Sequence, residues 1–388
     1  MSLRTYYLDN NATTTIDPLV RATMEHVWNL GPVNAASAHS LGEAGRRVLA
    51  QARQELAALL NTEASAIVFT SGGTEANHLI LREMLRPGGA FTRLVVSEVE
   101  HSSIRAAAEA MEQAGKDVVW LPVNERGLVD PIRLSGSILP GSTLVCIQWA
   151  NNETGVVQPV NELEEVCRRA GAWLHVDAVQ AVGKVPVDLN TVPVDSLALS
   201  AHKFHGPTGV GALALRRGRK IAPLLPAGDQ ERGIRPGTHN LAAIAGMGRA
   251  AALAAERMGR TDNRVEGVRD RFEWLLVEAG IVERIHGRAA VRLPNTANLS
   301  FREIEGDALV ARLDMLGVIT SQSSACTAMR PEPSYVLRAM GVSEHEAFRS
   351  LRFSFSWDTA IHVADEAAAL AVQAHRALAR FLHLSAVT

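Results

Sequence analysis

Trp173-Leu174-His175-Val176 followed by Asp177-Ala178-Val179-Gln180, and Ser196-Leu197-Ala198-Leu199 followed by Ser200-Ala201-His202-Lys203, share one pattern. Each is a short, largely apolar run that ends abruptly in polar side chains. Apolar residues on consecutive positions suit a parallel strand covered on both faces. Further runs of this kind are Ile67-Val68-Phe69, Leu94-Val95-Val96, Val118-Val119-Trp120-Leu121, Thr143-Leu144-Val145-Cys146-Ile147 and Val210-Gly211-Ala212-Leu213. Helical stretches such as Ile104 to Ala114 and Val160 to Ala170 separate them, the second closed by Gly171, a suitable C-cap. Strands alternating with helices predict an α/β fold with a mainly parallel central sheet.

After about Ala245 the pattern changes to long helices rich in alanine and arginine. Strand-like pieces follow at Ala297-Asn298-Leu299-Ser300-Phe301 and Leu351-Arg352-Phe353-Ser354-Phe355. A single core seldom grows past ~250–300 residues, and this chain has 388. The expected division is a large domain, residues 16–258, and a smaller α+β domain formed by residues 1–15 with 259–388.

The charges narrow the function. Basic and acidic side chains number 39 and 41 and are interspersed, so there is no cationic stripe for nucleic acid. No apolar run approaches the ~20 residues that span a bilayer, and MSLRTYYLDN carries no apolar signal core. Three cysteines cannot build a disulfide framework. A cytoplasmic protein with reduced thiols and small-molecule chemistry is expected. Cys146, Cys167 and Cys326 form no C-x-x-C pair and have no adjacent histidine, so no metal site is expected.

Ligands of open α/β sheets bind beyond the carboxyl ends of the strands. Four junctions there are rich in polar groups. Ser71-Gly72-Gly73-Thr74-Glu75 opens a helix, where free N–H groups attract an anion such as phosphate; it also reads as an ordinary capped turn. Glu98-Val99-Glu100-His101-Ser102-Ser103 offers a histidine that would serve equally well as a helix cap. Asp177-Ala178-Val179-Gln180 places a carboxylate where it could hold a heterocyclic nitrogen protonated, or merely cap a helix. In Ser200-Ala201-His202-Lys203-Phe204-His205-Gly206-Pro207 a lysine follows an apolar strand. Burial there would lower its pKa and free its amine as a nucleophile; a lysine snorkelling from the strand end is the other reading.

Together the four junctions meet the needs of one ligand. Pyridoxal phosphate takes a lysine for its aldehyde, a carboxylate for its ring nitrogen, a flat group for its ring face and helix-start donors for its phosphate.

The cysteines differ in kind. Cys146 lies within an apolar strand, and Cys167 shares a helical face with Val160, Leu163 and Ala170, so both read as inert core thiols. Cys326 sits in Ser321-Gln322-Ser323-Ser324-Ala325-Cys326-Thr327-Ala328-Met329-Arg330-Pro331, which has no hydrophobic period. An exposed loop thiol is either dispensable or reactive.

Along nearly its whole length the chain resembles the cysteine desulfurases, class V of the fold-type I pyridoxal-phosphate enzymes. The resemblance rests on Tyr7-Leu8-Asp9-Asn10-Asn11-Ala12-Thr13-Thr14, Phe69 to Glu75, Glu98 to His101, Asn151-Asn152-Glu153-Thr154-Gly155, His175 to Gln180 and Ser200 to Lys203. It continues through Glu231-Arg232-Gly233-Ile234-Arg235-Pro236-Gly237-Thr238, Ser324-Ala325-Cys326-Thr327, Glu332 to Arg338 and Leu351-Arg352-Phe353-Ser354. It implies conversion of L-cysteine to L-alanine, with the sulfur held as a persulfide on Cys326. Lys203 would bind the cofactor covalently and move protons at the substrate Cα. Asp177 would pair with the pyridine nitrogen, Gln180 with the phenolic oxygen, and His101 would stack on the ring and act as a catalytic base for the substrate thiol. Gly73, Thr74, Ser200 and His202 would hold the phosphate, joined by Thr238 from a second subunit of a homodimer. Arg352 would clamp the substrate carboxylate, with Asn152, Asn34 and Asn10 nearby.

The sulfur would pass to an acceptor protein, an iron–sulfur scaffold or a nucleic-acid thiolation enzyme. Some positions depart from the family pattern. Ala35 follows Asn34 where proline is common, Thr208 and Pro236 stand where lysine and serine are frequent, and Ser323 replaces a glycine. The stretch from Cys326 to Pro333 resembles the longer-loop branch. A selenocysteine lyase or another class V aminotransferase is the enzymatic alternative. A catalytically idle sulfur-assembly scaffold is the non-enzymatic one. The Ser-Ala-Cys-Thr segment and the complete lysine, aspartate, histidine and cysteine set favour desulfuration.

Overall fold

The computed structural model describes residues 4–259, 264–322 and 332–385. In chain order its strands are β1 (Tyr6–Tyr7), β2 (Ile67–Thr70), β3 (Arg93–Ser97), β4 (Asp117–Leu121), β5 (Thr143–Gln148), β6 (Trp173–Asp177) and β7 (Ser196–Ser200). They continue with β8 (Gly211–Leu215), β9 (Val282–Ile285), β10 (Thr296–Phe301), β11 (Val318–Ile319), β12 (Ser321–Gln322) and β13 (Ser350–Ser354). Seven of them form one sheet in the order β2-β8-β7-β6-β5-β3-β4. Neighbours run parallel except at β8, which opposes both β2 and β7. The mainly parallel sheet matches the sequence reading, and only the reversal of β8 was not legible there.

The continuous apolar runs are explained by burial on both faces. Val145, Ile147, Leu174 and Val176 enter one core. Leu144, Cys146 and Trp173, the alternate residues, enter another on the opposite face. Each fully buried aliphatic side chain contributes about 1.5–3 kcal/mol relative to exposure. The helix Val160–Ala170 occupies the predicted span and closes at Gly171, whose φ of 65° is left-handed.

A second, antiparallel sheet has the order β12-β13-β10-β9. Phe272, Phe301, Phe353 and Phe355 fill its core, together with Leu8 from the beginning of the chain. The first residues are stitched there: β1 runs parallel to β11, and Asp9 bridges to Ser354. The segment Asp9–Thr14 then crosses to the large sheet, where Thr14 N–H donates to the His202 carbonyl. That crossing brings the two sheets to one site. No described helix is long and apolar enough to cross a membrane.

Candidate active site

Register aligns the functional strand ends. Gln148 pairs with Asp177, and Asp177 with Ala198, so β5, β6 and β7 finish along one edge. There a cavity of about 450 Å³ opens, lined by Lys203, Asp177, His101, Gln180, Thr74 and Arg352 among others.

Lys203 ends a short helical turn after β7. Its Nζ donates to the carbonyls of Asn11 at 2.7 Å and Ala12 at 2.8 Å. Two backbone carbonyls orient the amine at the cavity. His202, beside it, donates or accepts at Thr13 Oγ1, 3.1 Å from Nδ1. Burial, then the charges of Lys203 and Lys184, push His202 down to about 4, so the ring is neutral at pH 7.

Asp177 is oriented by a chain of hydrogen bonds whose direction is fixed throughout. Trp173 Nε1 can only donate, and does so to Ser196 Oγ at 2.9 Å. Ser196 gives its own proton to His175 Nδ1, 2.9 Å away, which is the acceptor of a neutral ring protonated at Nε2. His175 Nε2 donates to Asn77 Oδ1 at 2.9 Å, and Asn77 Nδ2 donates to Asp177 Oδ2 at 2.8 Å. Burial pushes His175 down to about 3, which keeps the imidazole neutral as this chain requires. Val179 N–H donates to the other oxygen, Oδ1, at 3.0 Å.

Gly73 begins the helix Gly73–Leu81, and among the described residues no side chain caps its first turn. The N–H groups there meet the cavity wall at Gly73 and Thr74. A Cβ on Gly73 would lie 2.5 Å from Val179 Cγ2, so only glycine lets the helix start approach this closely. His101 caps the next helix, Ser102–Gln113, accepting from Ser103 N–H at 3.2 Å. Just before it, Glu100 is fully buried, and burial raises its pKa to about 8. Burial thus favours its protonated form, against the hydrogen bonds from Ser97 and Gln148.

Arg352 arrives from β13. Its Nη2 meets Asp9 Oδ1 at 2.7 Å, and its Nη1 donates to the Asn152 carbonyl at 3.2 Å. Buried Nε has no partner among the described residues.

Lys203, Asp177, Gln180, His101, Gly73, Thr74, Ser200, His202, Asn152 and Arg352 are thus brought together. Asn10 is not. Its amide ties the chain to the Ser354 carbonyl at 2.8 Å, and the residue lines a separate cavity. Asn34 Oδ1 accepts from Ala36 N–H at 3.0 Å, and Asn34 does not line the 450 Å³ cavity. Thr238 is exposed and also absent from that wall; its loop is held by Arg235 on Glu75 and by Gly237 N–H on Gln230. Cys326 lies outside the described residues. The two other thiols are buried, Cys146 pushed well up and Cys167 to about 12, chiefly by burial. Neither forms a thiolate near neutrality.

Sequence reasoning overlooked Asn11, Asn77, His175 and Lys184. Asn11 donates to the Asn152 carbonyl and to Thr296 Oγ1, while its own carbonyl receives Gln180 and Lys203. Its place beside Asn10 in a polar segment was the available signal. His175 was hidden by lying inside an apolar strand, yet a histidine in that setting needs partners. Among the described residues no group of three or more His, Cys, Asp or Glu side chains is placed to hold a metal ion.

Residues 6–363 match the family model described as aminotransferase class V. A cysteine desulfurase of Bradyrhizobium diazoefficiens is 42% identical over 362 residues, covering 93% of this chain and 92% of that protein. Among solved structures, a NifS-like protein superposes with a TM-score of 0.88 at 31% identity, covering 97% of this chain and 100% of the other. A structure titled SspA in complex with cysteine gives 0.79 at 30% identity, covering 90% and 99%.

Proposed function

Because the chain belongs to the class-V aminotransferase family, and is a cysteine desulfurase that mobilises sulfur from L-cysteine to leave L-alanine, we propose pyridoxal phosphate as its cofactor and Cys326 as its sulfur acceptor. The observation that carries this reading is the position of Lys203. Its amine donates to the carbonyls of Asn11 and Ala12, in a cavity shared with Asp177, His101 and Arg352.

The donor set fits the cofactor. The uncapped helix start at Gly73 and Thr74, with Ser200 and neutral His202, suits a phosphate. Asp177, oriented through Asn77, would hold the pyridine nitrogen protonated. Gln180 would donate to the phenolic oxygen, and His101 would cover the ring. When bound, the cofactor supplies an electron sink for the pair left as the substrate loses its Cα proton.

The chain's own groups do the rest. Arg352, whose Nε lacks a described acceptor, would receive the substrate carboxylate with Asn152 beside it. Lys203 would hold the cofactor, then take and return the Cα proton. Cys326, as thiolate, would attack the substrate sulfur. The sulfur's bond to Cβ breaks as its bond to the Cys326 sulfur forms, and Cβ gains a proton, leaving alanine and a persulfide. We further propose a cytoplasmic homodimer that receives Thr238 across the subunit contact. It would pass its sulfur to an acceptor protein, an iron–sulfur scaffold or a thiolation enzyme. Residues 16–258, and residues 1–15 with 259–388, would be its two domains.

Borohydride reduction of the cofactor-loaded protein, followed by peptide mapping, tests the assignment. The cofactor should be found on the Lys203 peptide, and Lys203→Ala should produce no alanine from cysteine. Cofactor trapped on any other lysine would overturn it.

A further inference from the structure

Lys184 follows Gln180 by four residues, in the turn that leaves β6. Its Nζ donates to Gln180 Oε1 at 2.5 Å and to Asn11 Oδ1 at 3.0 Å. Lys203 holds the same asparagine by its carbonyl, at 2.7 Å. Two lysine amines therefore grip one residue from two sides. Lys184 belongs to the wall of a second cavity, about 370 Å³, which Lys203 also lines. Lys203 stands between the two spaces, and Lys184 lies behind it.

We propose that Lys184 is a positioning residue, which turns the Gln180 amide nitrogen toward the cofactor and lowers the proton affinity of the nitrogen at Lys203. This rests on the reading of Lys203 as the cofactor's lysine. The first part follows from donor chemistry. An ammonium has no acceptor, so Gln180 must offer it the oxygen and carry its NH₂ on the other side. There, Nε2 donates to the Asn11 carbonyl at 2.9 Å, next to the amine of Lys203. A glutamine free to flip would present either atom to the cofactor's phenolic oxygen. This one is held as a donor.

The second part follows from charge. Burial lowers the pKa of Lys184, and the charges of Lys203 and Arg352 add to the effect, while the two acceptor oxygens at 2.5 and 3.0 Å hold the proton on its amine. Such coupling is mutual: each cation disfavours a proton on the other. Covalent attachment of the cofactor removes the Lys203 ammonium, which relieves Lys184. The other charged or titratable groups around Lys203 are His101, Asp177, His202, Glu332, Glu153 and Arg352 with its partner Asp9. On the far side are His205, Arg257, Arg264 and Glu266. All are common to the wild type and its Lys184 variants, so a difference between these reports the charge at position 184.

The test is a pH titration of the visible absorbance of the cofactor-loaded protein for wild type, Lys184→Met, Lys184→Gln and Lys184→Arg. The cofactor dissociation constant is measured alongside. Met and Gln should raise the midpoint, with proton affinity increasing about tenfold or more, roughly one pKa unit. Arg, which keeps the charge, should titrate close to wild type. Unmoved midpoints in Met and Gln would overturn the inference, even if they bind the cofactor weakly. So would a midpoint in Arg displaced as far as in Met, or loss of the cofactor from Arg alone. Cofactor trapped by borohydride on a lysine other than Lys203 would instead remove the reading on which the inference rests.

Discussion

Arg352 and Asp9 stand 343 positions apart in the chain and 2.7 Å apart in the fold. The carboxylate is itself held, since Ser321 Oγ donates to Asp9 Oδ2 at 2.7 Å. The guanidinium is thereby fixed with one face committed and Nε still to be satisfied. Lysine in its place would lack the planar fork. Arg352→Lys should raise KM for L-cysteine about 10- to 100-fold, the loss of a charge-assisted pair worth about 1.5–3 kcal/mol. Steady-state kinetics would show it, with a smaller change in kcat. An unchanged KM would remove Arg352 from carboxylate binding.

The hydrogen-bond chain behind Asp177 makes a stability prediction. His175 and His286 are both pushed down to about 3 by burial. A histidine whose folded pKa lies below its unfolded value of ~6.5 binds a proton on unfolding. Its stabilising effect is complete above ~6.5 and is lost progressively as pH falls from there toward 3. Denaturant unfolding across that window should show stability falling with acid. His175→Phe should reduce the slope by up to about one proton. The same variant leaves Asn77 Oδ1 without its donor and should weaken cofactor retention. A slope identical to wild type would mean that His175 already carries a proton in the folded state.

Shared active sites can be detected by complementation. Thr238→Ala and Lys203→Ala, each inactive alone, should regain activity when mixed and allowed to exchange subunits. One site of the heterodimer then carries both lesions and the other none. Confirmed heterodimers without activity would count against a shared site.

Cys326→Ser should load the cofactor and bind cysteine, yet stop before alanine forms. Mass spectrometry of the wild type after brief exposure to cysteine should place one added sulfur on the Cys326 peptide. The alternatives are poor nucleophiles: Cys146 and Cys167 are buried, with raised pKa values. Alanine made at the normal rate by Cys326→Ser, or sulfur on either buried thiol, would refute the persulfide on Cys326.

The strand ends were legible because parallel strands buried on both faces write themselves as unbroken apolar runs. That is why Asp177 and Lys203 stood out where polarity resumed. His175 did not, since its partners Ser196 and Asn77 come from other elements, and only tertiary register brings them together. Asn10 and Asn11 show the same limit. In an irregular segment no periodicity tells which neighbour faces the ligand, and the sequence reading chose Asn10, whereas Asn11 lines the cavity. Lys184 lay four residues after Gln180, a spacing that puts two side chains together on one turn, and this signal went unused. The reversal of β8 left no trace because both its faces are buried like those of the parallel strands.

The early crossing of the chain, from Asp9 to Thr14, has a consequence for biogenesis. Asn11 and Asp9 are bonded in part by Asn295, Thr296, Ser354 and Arg352, from the far end of the chain. During synthesis the large sheet and the helix Leu241–Met258 that packs on it have all been made by residue 258. The segment that cradles Lys203 completes these bonds only when nearly the whole polypeptide has emerged. A nascent chain therefore carries Lys203 long before the last wall of the cavity, with Arg352, has been made.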